Sequence, residues 1–126
     1  MNENIDFIKQ YAPNISADAE DYSNQTSNDH WFDIASKTNN PLHLDKALDH
    51  HDPDVREEAA RNSYCNANHL DKALNDEKWF VKAAAAGNPR CTKEHIDKAL
   101  GDEDYDVRRA AKRNPRYKEY YPNGHQ

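Results

Sequence analysis

The chain repeats itself every 26 residues. His43-Leu44-Asp45-Lys46-Ala47-Leu48 returns as His69-Leu70-Asp71-Lys72-Ala73-Leu74 and again as His95-Ile96-Asp97-Lys98-Ala99-Leu100. The same spacing carries Val55, Val81 and Val107, the basic Arg56, Lys82 and Arg108, and Asn62, Asn88 and Asn114. A period held without slippage marks an array of supersecondary units, none of which can bury its apolar face alone. That constraint outweighs composition. Leu, Ile, Val and Phe supply only 17 of 126 residues, below the ~20% at which a chain is usually read as disordered. Yet nine of them (Leu44, Leu48, Val55, Leu70, Leu74, Val81, Ile96, Leu100 and Val107) occupy three positions of the repeat, so a lean apolar supply is spread along a thin core.

Each unit reads as two short helices. The first begins at Asn40, Asn66 or Thr92, whose side-chain oxygens can accept from a free backbone N–H, and Pro41 follows the first of these where its missing donor costs nothing. Leu44, Ala47 and Leu48 then share one stripe at i, i+3 and i+4. The second helix opens at Asp52-Pro53 and at Asp104, with acids near the positive end of the helix dipole, and runs VREEAARN, VKAAAAGN and VRRAAKRN. Asn62, Asn88 and Asn114 stand where a left-handed residue is expected to end it, and Pro89 and Pro115 prevent continuation. His43, His69 and His95 fall at N3, where the ring can reach back to the cap residue as Glu does in a capping box.

The expected fold is all-α: about three helix-turn-helix repeats, 40–65, 66–91 and 92–117, within a single domain of residues 1–126. Residues 1–39 form an N-terminal cap and loop. There Phe32, Ala35, Ser36, Lys37 and Asn39 align with Val55, Glu58, Ala59, Ala60 and Asn62 at a spacing of 23, Ile5–Tyr11 forms the partner helix, and Asn14–Asn28 a loop. Residues 118–126 form a tail, with Tyr117, Tyr120 and Tyr121 sealing the end of the core.

The succession of Leu or Ile, Ala-Leu, Val with Arg or Lys, Ala and Asn-Pro over residues 29–117 resembles the leucine-rich repeat variant units, and more loosely HEAT repeats. Ser63 in place of Pro, and Gly87 where Arg61 and Arg113 stand, depart from the pattern. The resemblance implies a right-handed α-solenoid with a recognition role. Free-standing miniature arrays of that kind look like phage-type inhibitors of a host or defence complex, and HEAT-like DNA-binding proteins place bases on the concave surface.

The chemistry-bearing residues favour structure over reaction. Stacked repeats lie about 8–10 Å apart, whereas ligands of one zinc ion each lie about 2 Å from it, so the three in-register histidines do not share a metal. Cys65 and Cys91, one layer apart, lie beyond the ~7 Å a disulfide allows and read as small buried fillers of a chain in a reducing compartment. The Asp45/Asp71/Asp97 and Arg56/Lys82/Arg108 ladders read as helix caps and inter-repeat ion pairs, unaccompanied by a nucleophile or phosphate loop. No catalysis and no cofactor are expected.

Two surfaces remain. Trp31 and Phe80 occupy the position of Asp54 and Asp106, and Trp79 and Tyr105 that of Pro53. A position that accepts Asp is near solvent, so Trp31, Trp79, Phe80 and Tyr105 are candidate anchors for a protein partner; alternatively Trp31 and Phe80 fold down and stand in for Leu. Arg108, Arg109, Lys112 and Arg113 cluster along one helix and are the candidate phosphate-facing residues of a rival, nucleic-acid-associated reading. The net charge of −6 opposes general nucleic-acid binding, and five of those negative charges lie in residues 1–39, which gives a third reading, an acidic nucleic-acid mimic. No run approaches a membrane span and MNENIDFIKQ lacks the order of a secretory signal, so a cytoplasmic, non-catalytic protein-binding module is expected, as a monomer or weak homodimer.

Overall fold

The computed structural model describes residues 28–124. The chain divides into two compact units, 1–31 and 32–126. The expected Ile5–Tyr11 helix, the Asn14–Asn28 loop apart from Asn28, and most of the acidic segment lie outside the described residues.

Eight helices are described: α1 (Asn28–Lys37), α2 (Pro41–Leu48), α3 (Pro53–Arg61), α4 (Ala67–Leu74), α5 (Trp79–Ala86), α6 (Lys93–Leu100), α7 (Tyr105–Arg113) and α8 (Tyr117–Tyr120). The described residues contain no strand, so the fold is all-α. The caps fall where the sequence puts them. Asn40 accepts from Leu42 N, Asn66 from His69 N, Thr92 from His95 N, Asp52 from Asp54 N and Asp104 from Asp106 N. Each such cap contributes about 1 kcal/mol to a helix of eight or nine residues, too short to persist alone.

What holds these short helices is their packing. Within each repeat the two helices pack together, α2 on α3, α4 on α5 and α6 on α7; between repeats α3 packs on α5 and α5 on α7, while α2 packs on α4 and α4 on α6. All nine periodic Leu, Ile and Val residues are buried. Each contributes about 1.5–3 kcal/mol of apolar burial, and buried Ala59, Ala60, Ala85, Ala86 and Ala111 let neighbouring helices approach closely. Cys65 and Cys91 are free, fully buried thiols whose S–H groups reach Ala59 O and Ala85 O, each at 3.1 Å. Burial pushes Cys65 up to about 12 and Cys91 up to about 11, so both remain protonated fillers.

Two expectations are overturned. Asn62 and Asn114 end α3 and α7 in extended backbone, with φ of −66° and −60°, and α5 ends at Gly87 with φ of −86°. None of these helices ends in a left-handed residue. The asparagines serve instead as buried connectors between repeats. Asn88 Nδ2 donates to Ala60 O (2.8 Å) and Asn62 O (3.0 Å), Asn114 Nδ2 donates to Ala86 O (2.7 Å) and Asn88 O (2.8 Å), and Asn62 Nδ2 donates to Ala35 O and Thr38 O, both 2.8 Å. Each Oδ1 accepts from the backbone two residues on, at Tyr64, Arg90 and Arg116.

The second correction concerns α1. Phe32 is 42% exposed, whereas Trp31, Ile34, Ala35 and Thr38 are buried. The cap half-repeat therefore aligns at 24, not 23, with Trp31 at the Val55 position, Ala35 at Ala59 and Thr38 at Asn62. The connection after α1 is two residues shorter than the repeat period, and a one-residue slip on a helix turns its apolar side by 100°.

Two further ladders tie the repeats together. In α4 and α6 the histidine completes a capping box: Asn66 N donates to His69 Nδ1 (3.0 Å) and Thr92 N to His95 Nδ1 (2.9 Å). The ring is thereby fixed with its proton on Nε2, which faces Asp45 Oδ1 (2.9 Å) and Pro41 O in one repeat, and Asp71 Oδ1 (3.0 Å) and Ala67 O in the next. Tyr121 takes the next place in the series, its hydroxyl donating to Asp97, and Tyr120 OH reaches Cys91 O at 3.3 Å. Tyr120 and Tyr121 thereby tie α8 to the last repeat. On the other side of each repeat, Arg56 Nε meets Asp76 Oδ2 at 2.8 Å and Lys82 Nζ meets Asp102 Oδ2 at 3.1 Å. Asp76 and Asp102 also accept from Lys78 N and Asp104 N. At the matching place in the first repeat His50 Nδ1 accepts from Asp52 N; burial, then His51, holds His50 below the ordinary imidazole value, in keeping with that acceptor role. With α1 aligned at 24, Phe32 stands where Arg56 and Lys82 do.

Asp76→Ala removes an ion pair whose side chains are only 13% and 11% exposed and frees the Lys78 N–H as well. The expected loss is about 2–4 kcal/mol in urea unfolding. Asp33→Ala, which breaks the exposed Asp33–Lys37 pair, costs under about 1 kcal/mol in the same assay.

Candidate functional site

The second helices α3, α5 and α7 carry the chain's least uniform surface. Their sequences are PDVREEAAR, WFVKAAAA and YDVRRAAKR. Position for position, Pro53, Trp79 and Tyr105 correspond, as do Asp54, Phe80 and Asp106; Glu57, Ala83 and Arg109; Glu58, Ala84 and Ala110; and Arg61, Gly87 and Arg113. The middle helix has lost every charge that its neighbours direct to solvent at these positions. It keeps Val81 and Ala85 buried as both neighbours keep their counterparts, and Ala86 as α3 keeps Ala60, so its core face is unchanged. Its N-cap is Lys78, which makes no side-chain cap bond, in contrast to Asp52 and Asp104.

The consequence is an apolar groove of about 580 Å³ over α5. Ala83, Ala84 and Gly87 form its floor, Trp79 and Phe80 one end, Asn88 and Pro89 the other, Glu57 and Arg61 the α3 side, and Ala110 the α7 side. Trp79 is 48% exposed and its ring meets Phe80 edge to face, with centroids 5.7 Å apart and planes at 88°. Phe80 is half-buried, so it both lines the groove and braces Trp79. A Cβ on Gly87 would lie 3.7 Å from Ala83 O, ordinary contact, so the glycine leaves space at the surface and answers no backbone requirement.

The predicted anchors divide. Trp79 and Phe80 come together at the groove. Tyr105 is 65% exposed one helix away, with the Arg108 guanidinium 5.8 Å from its ring centre. Trp31 does not join them: it is 1% exposed, because it holds the core position that Val55 holds and not the solvent position of Asp54. The predicted basic cluster divides as well. Arg108 is half-buried and donates from Nη1 to Asp102 O at 2.7 Å, as Arg56 does to His50 O. Arg109, Lys112 and Arg113 are exposed, and no ion pair engages them among the described residues. Lys112 stands where Ala60 and Ala86 are fully buried, so it marks the charged outer face of the last repeat.

The residues that sequence reasoning missed are Ala83, Ala84 and Gly87. Their signal was the loss of the charges that both neighbouring repeats carry at the Ala83 and Gly87 positions, with Ala84 between them matching Ala110. Comparison with protein-family models, with curated proteins and with solved structures gives no match.

Proposed function

We propose that the chain is a non-catalytic protein-binding repeat module of the leucine-rich repeat variant or HEAT-like kind, and that its partner docks on α5. The observation that carries this reading is the groove itself: an apolar, aromatic-walled depression made by stripping charge from one solvent-facing helix of three. Exposed aromatic and small residues on a helix whose neighbours keep theirs charged are unfavourable in water and favourable under a partner. The repeated polar residues support a structural role over a catalytic one, since His69, His95, Asp76 and Asp102 spend both ring nitrogens or both carboxylate oxygens on capping and inter-repeat contacts.

No helix among the described residues is long and apolar enough to cross a membrane. The two free buried thiols accord with a reducing, cytoplasmic setting. A module that acts by occupancy alone would inhibit whatever complex its partner otherwise forms, the phage-type mode that the resemblance implies. Ala84→Arg tests the site. A long charged side chain across a half-exposed floor position leaves the helical circular dichroism intact and abolishes capture of partners identified by mass spectrometry and retested as purified proteins. Undiminished capture by a folded Ala84→Arg protein overturns the assignment.

The nucleic-acid reading draws on the exposed Arg109, Lys112 and Arg113 and predicts retardation in a gel shift that falls steeply with salt. The groove opposes it, because phosphates gain nothing from an apolar floor bordered by Glu57.

A further inference from the structure

We infer that this face also takes a second copy of the chain, in a weak, salt-sensitive dimer that a partner displaces; the inference rests on reading α5 as a docking surface. Its basis is the order of charge across the face. The outer side of α3 carries Asp54, Glu57 and Glu58 against Arg61, net two negative. Arg61 is shared, at 2.9 Å from Glu57 and 3.8 Å from Glu58. The outer side of α5 is neutral, with Trp79, Phe80, Ala83, Ala84 and Gly87. The outer side of α7 carries Arg109 and Arg113 against Asp106, net one positive. Acidic, apolar and basic helices thus lie side by side, α3 packed on α5 and α5 on α7.

A strip of that order is complementary to itself. A two-fold axis lying in the face along α5 sets the acidic α3 of each copy against the basic α7 of the other and lays the two α5 helices together, their small side chains permitting close approach. Both charged contacts form at once because the operation is symmetric. Three helices of eight or nine residues present a face about 30 Å by 13 Å, less than the ~800 Å² per partner of a standard stable interface. The dimer is therefore weak and exchangeable, and its charged flanks are exposed to screening.

Sedimentation of the full chain over a range of concentration and salt tests this. The wild type associates reversibly to twice its mass at low salt and dissociates as salt rises. Glu57→Lys with Glu58→Lys, and separately Arg109→Glu with Arg113→Glu, each give a monomer under the conditions in which the wild type is dimeric; mixing the two variants restores the doubled mass, since every contact is then between opposite charges. Circular dichroism establishes that each variant is folded. Should either fail to fold, Glu58→Gln and Arg109→Gln replace them and at least halve the dimer fraction at low salt. A wild type that is monomeric throughout overturns the inference, as does a dimer indifferent to charge reversal or to Ala84→Arg. A monomeric wild type that still loses its partner on Ala84→Arg overturns self-association alone and leaves the docking face standing.

Discussion

Replacing Asn88 by alanine is expected to destabilise the protein by about 3–5 kcal/mol, among the largest effects available to a single substitution outside the apolar core. Asn88 is 1% exposed, and its side chain satisfies three backbone groups at once: the carbonyls of Ala60 and Asn62 in the preceding repeat and the N–H of Arg90 in the next turn. Alanine orphans the buried Ala60 carbonyl and frees the part-buried Arg90 N–H, while the Asn62 carbonyl keeps the Cys65 N–H but loses its link to the next repeat, at about 1–3 kcal/mol for each orphaned group, offset in part by relaxation. Because α5 packs on both α3 and α7, the loss falls in the middle of the array, where fraying at one end cannot absorb it. A domain of this size has about 5–15 kcal/mol in total, so the variant should melt at least ~12 °C lower. Asn88→Asp is not a rescue: it keeps the acceptor for Arg90 N but sets a carboxylate against two carbonyl oxygens. Asn123→Ala, in the exposed tail, should stay within about 0.5 kcal/mol of wild type. A loss below about 1 kcal/mol for Asn88→Ala would show that the asparagine ladder does not hold the repeats together.

That ladder also shows where the sequence stops being readable. The period located Asn62, Asn88 and Asn114 correctly, at helix ends before a break in the chain. Their identity could not disclose their destination, because an amide at a helix end can either tolerate the left-handed region or reach a neighbouring carbonyl. Only the placement of the preceding repeat decides, and here it brings two carbonyls within 3.0 Å of each Nδ2. Caps at Asn40, Asn66, Thr92, Asp52 and Asp104 were legible because a cap is a local contact within three residues. The same is true of the ring reach-back of His69 and His95. The register of α1 was not, since Trp31 and Phe32 are both aromatic and the shortened connection removes the period that arbitrates elsewhere.

The docking face was half legible for a related reason. Trp79 and Phe80 stand out in sequence because they replace Pro or Asp. Ala83, Ala84 and Gly87 do not, since small residues in a lean repeat protein read as fillers between close helices, the role that Ala85 and Ala86 fill on the other side of the same helix. Five consecutive small residues, Ala83–Gly87, thus serve two faces, and the 3.6-residue period separates them only once the buried side is known.

The double substitution Trp79→Ala, Phe80→Ala is expected to remove partner binding with little effect on the fold. Trp79 is half in solvent and Phe80 lies at the groove wall, so neither anchors the core as Val81 does. Aromatic anchors of an interface each contribute about 2 kcal/mol or more, so losing both weakens binding by at least about a hundredfold. Unfolding midpoints should move little, because the periodic Leu, Ile and Val core is untouched. Phe32→Ala, an equally exposed aromatic away from the groove, serves as the control and should leave binding unchanged.

The most direct test of the docking face is a titration of the purified partner, first identified by capture with the wild-type chain, into wild-type, Trp79→Ala/Phe80→Ala and Phe32→Ala proteins of matched helicity. If the partner docks on α5, Phe32→Ala keeps wild-type affinity and the double variant loses at least about a hundredfold. Equal affinity of the wild type and the folded double variant would contradict it.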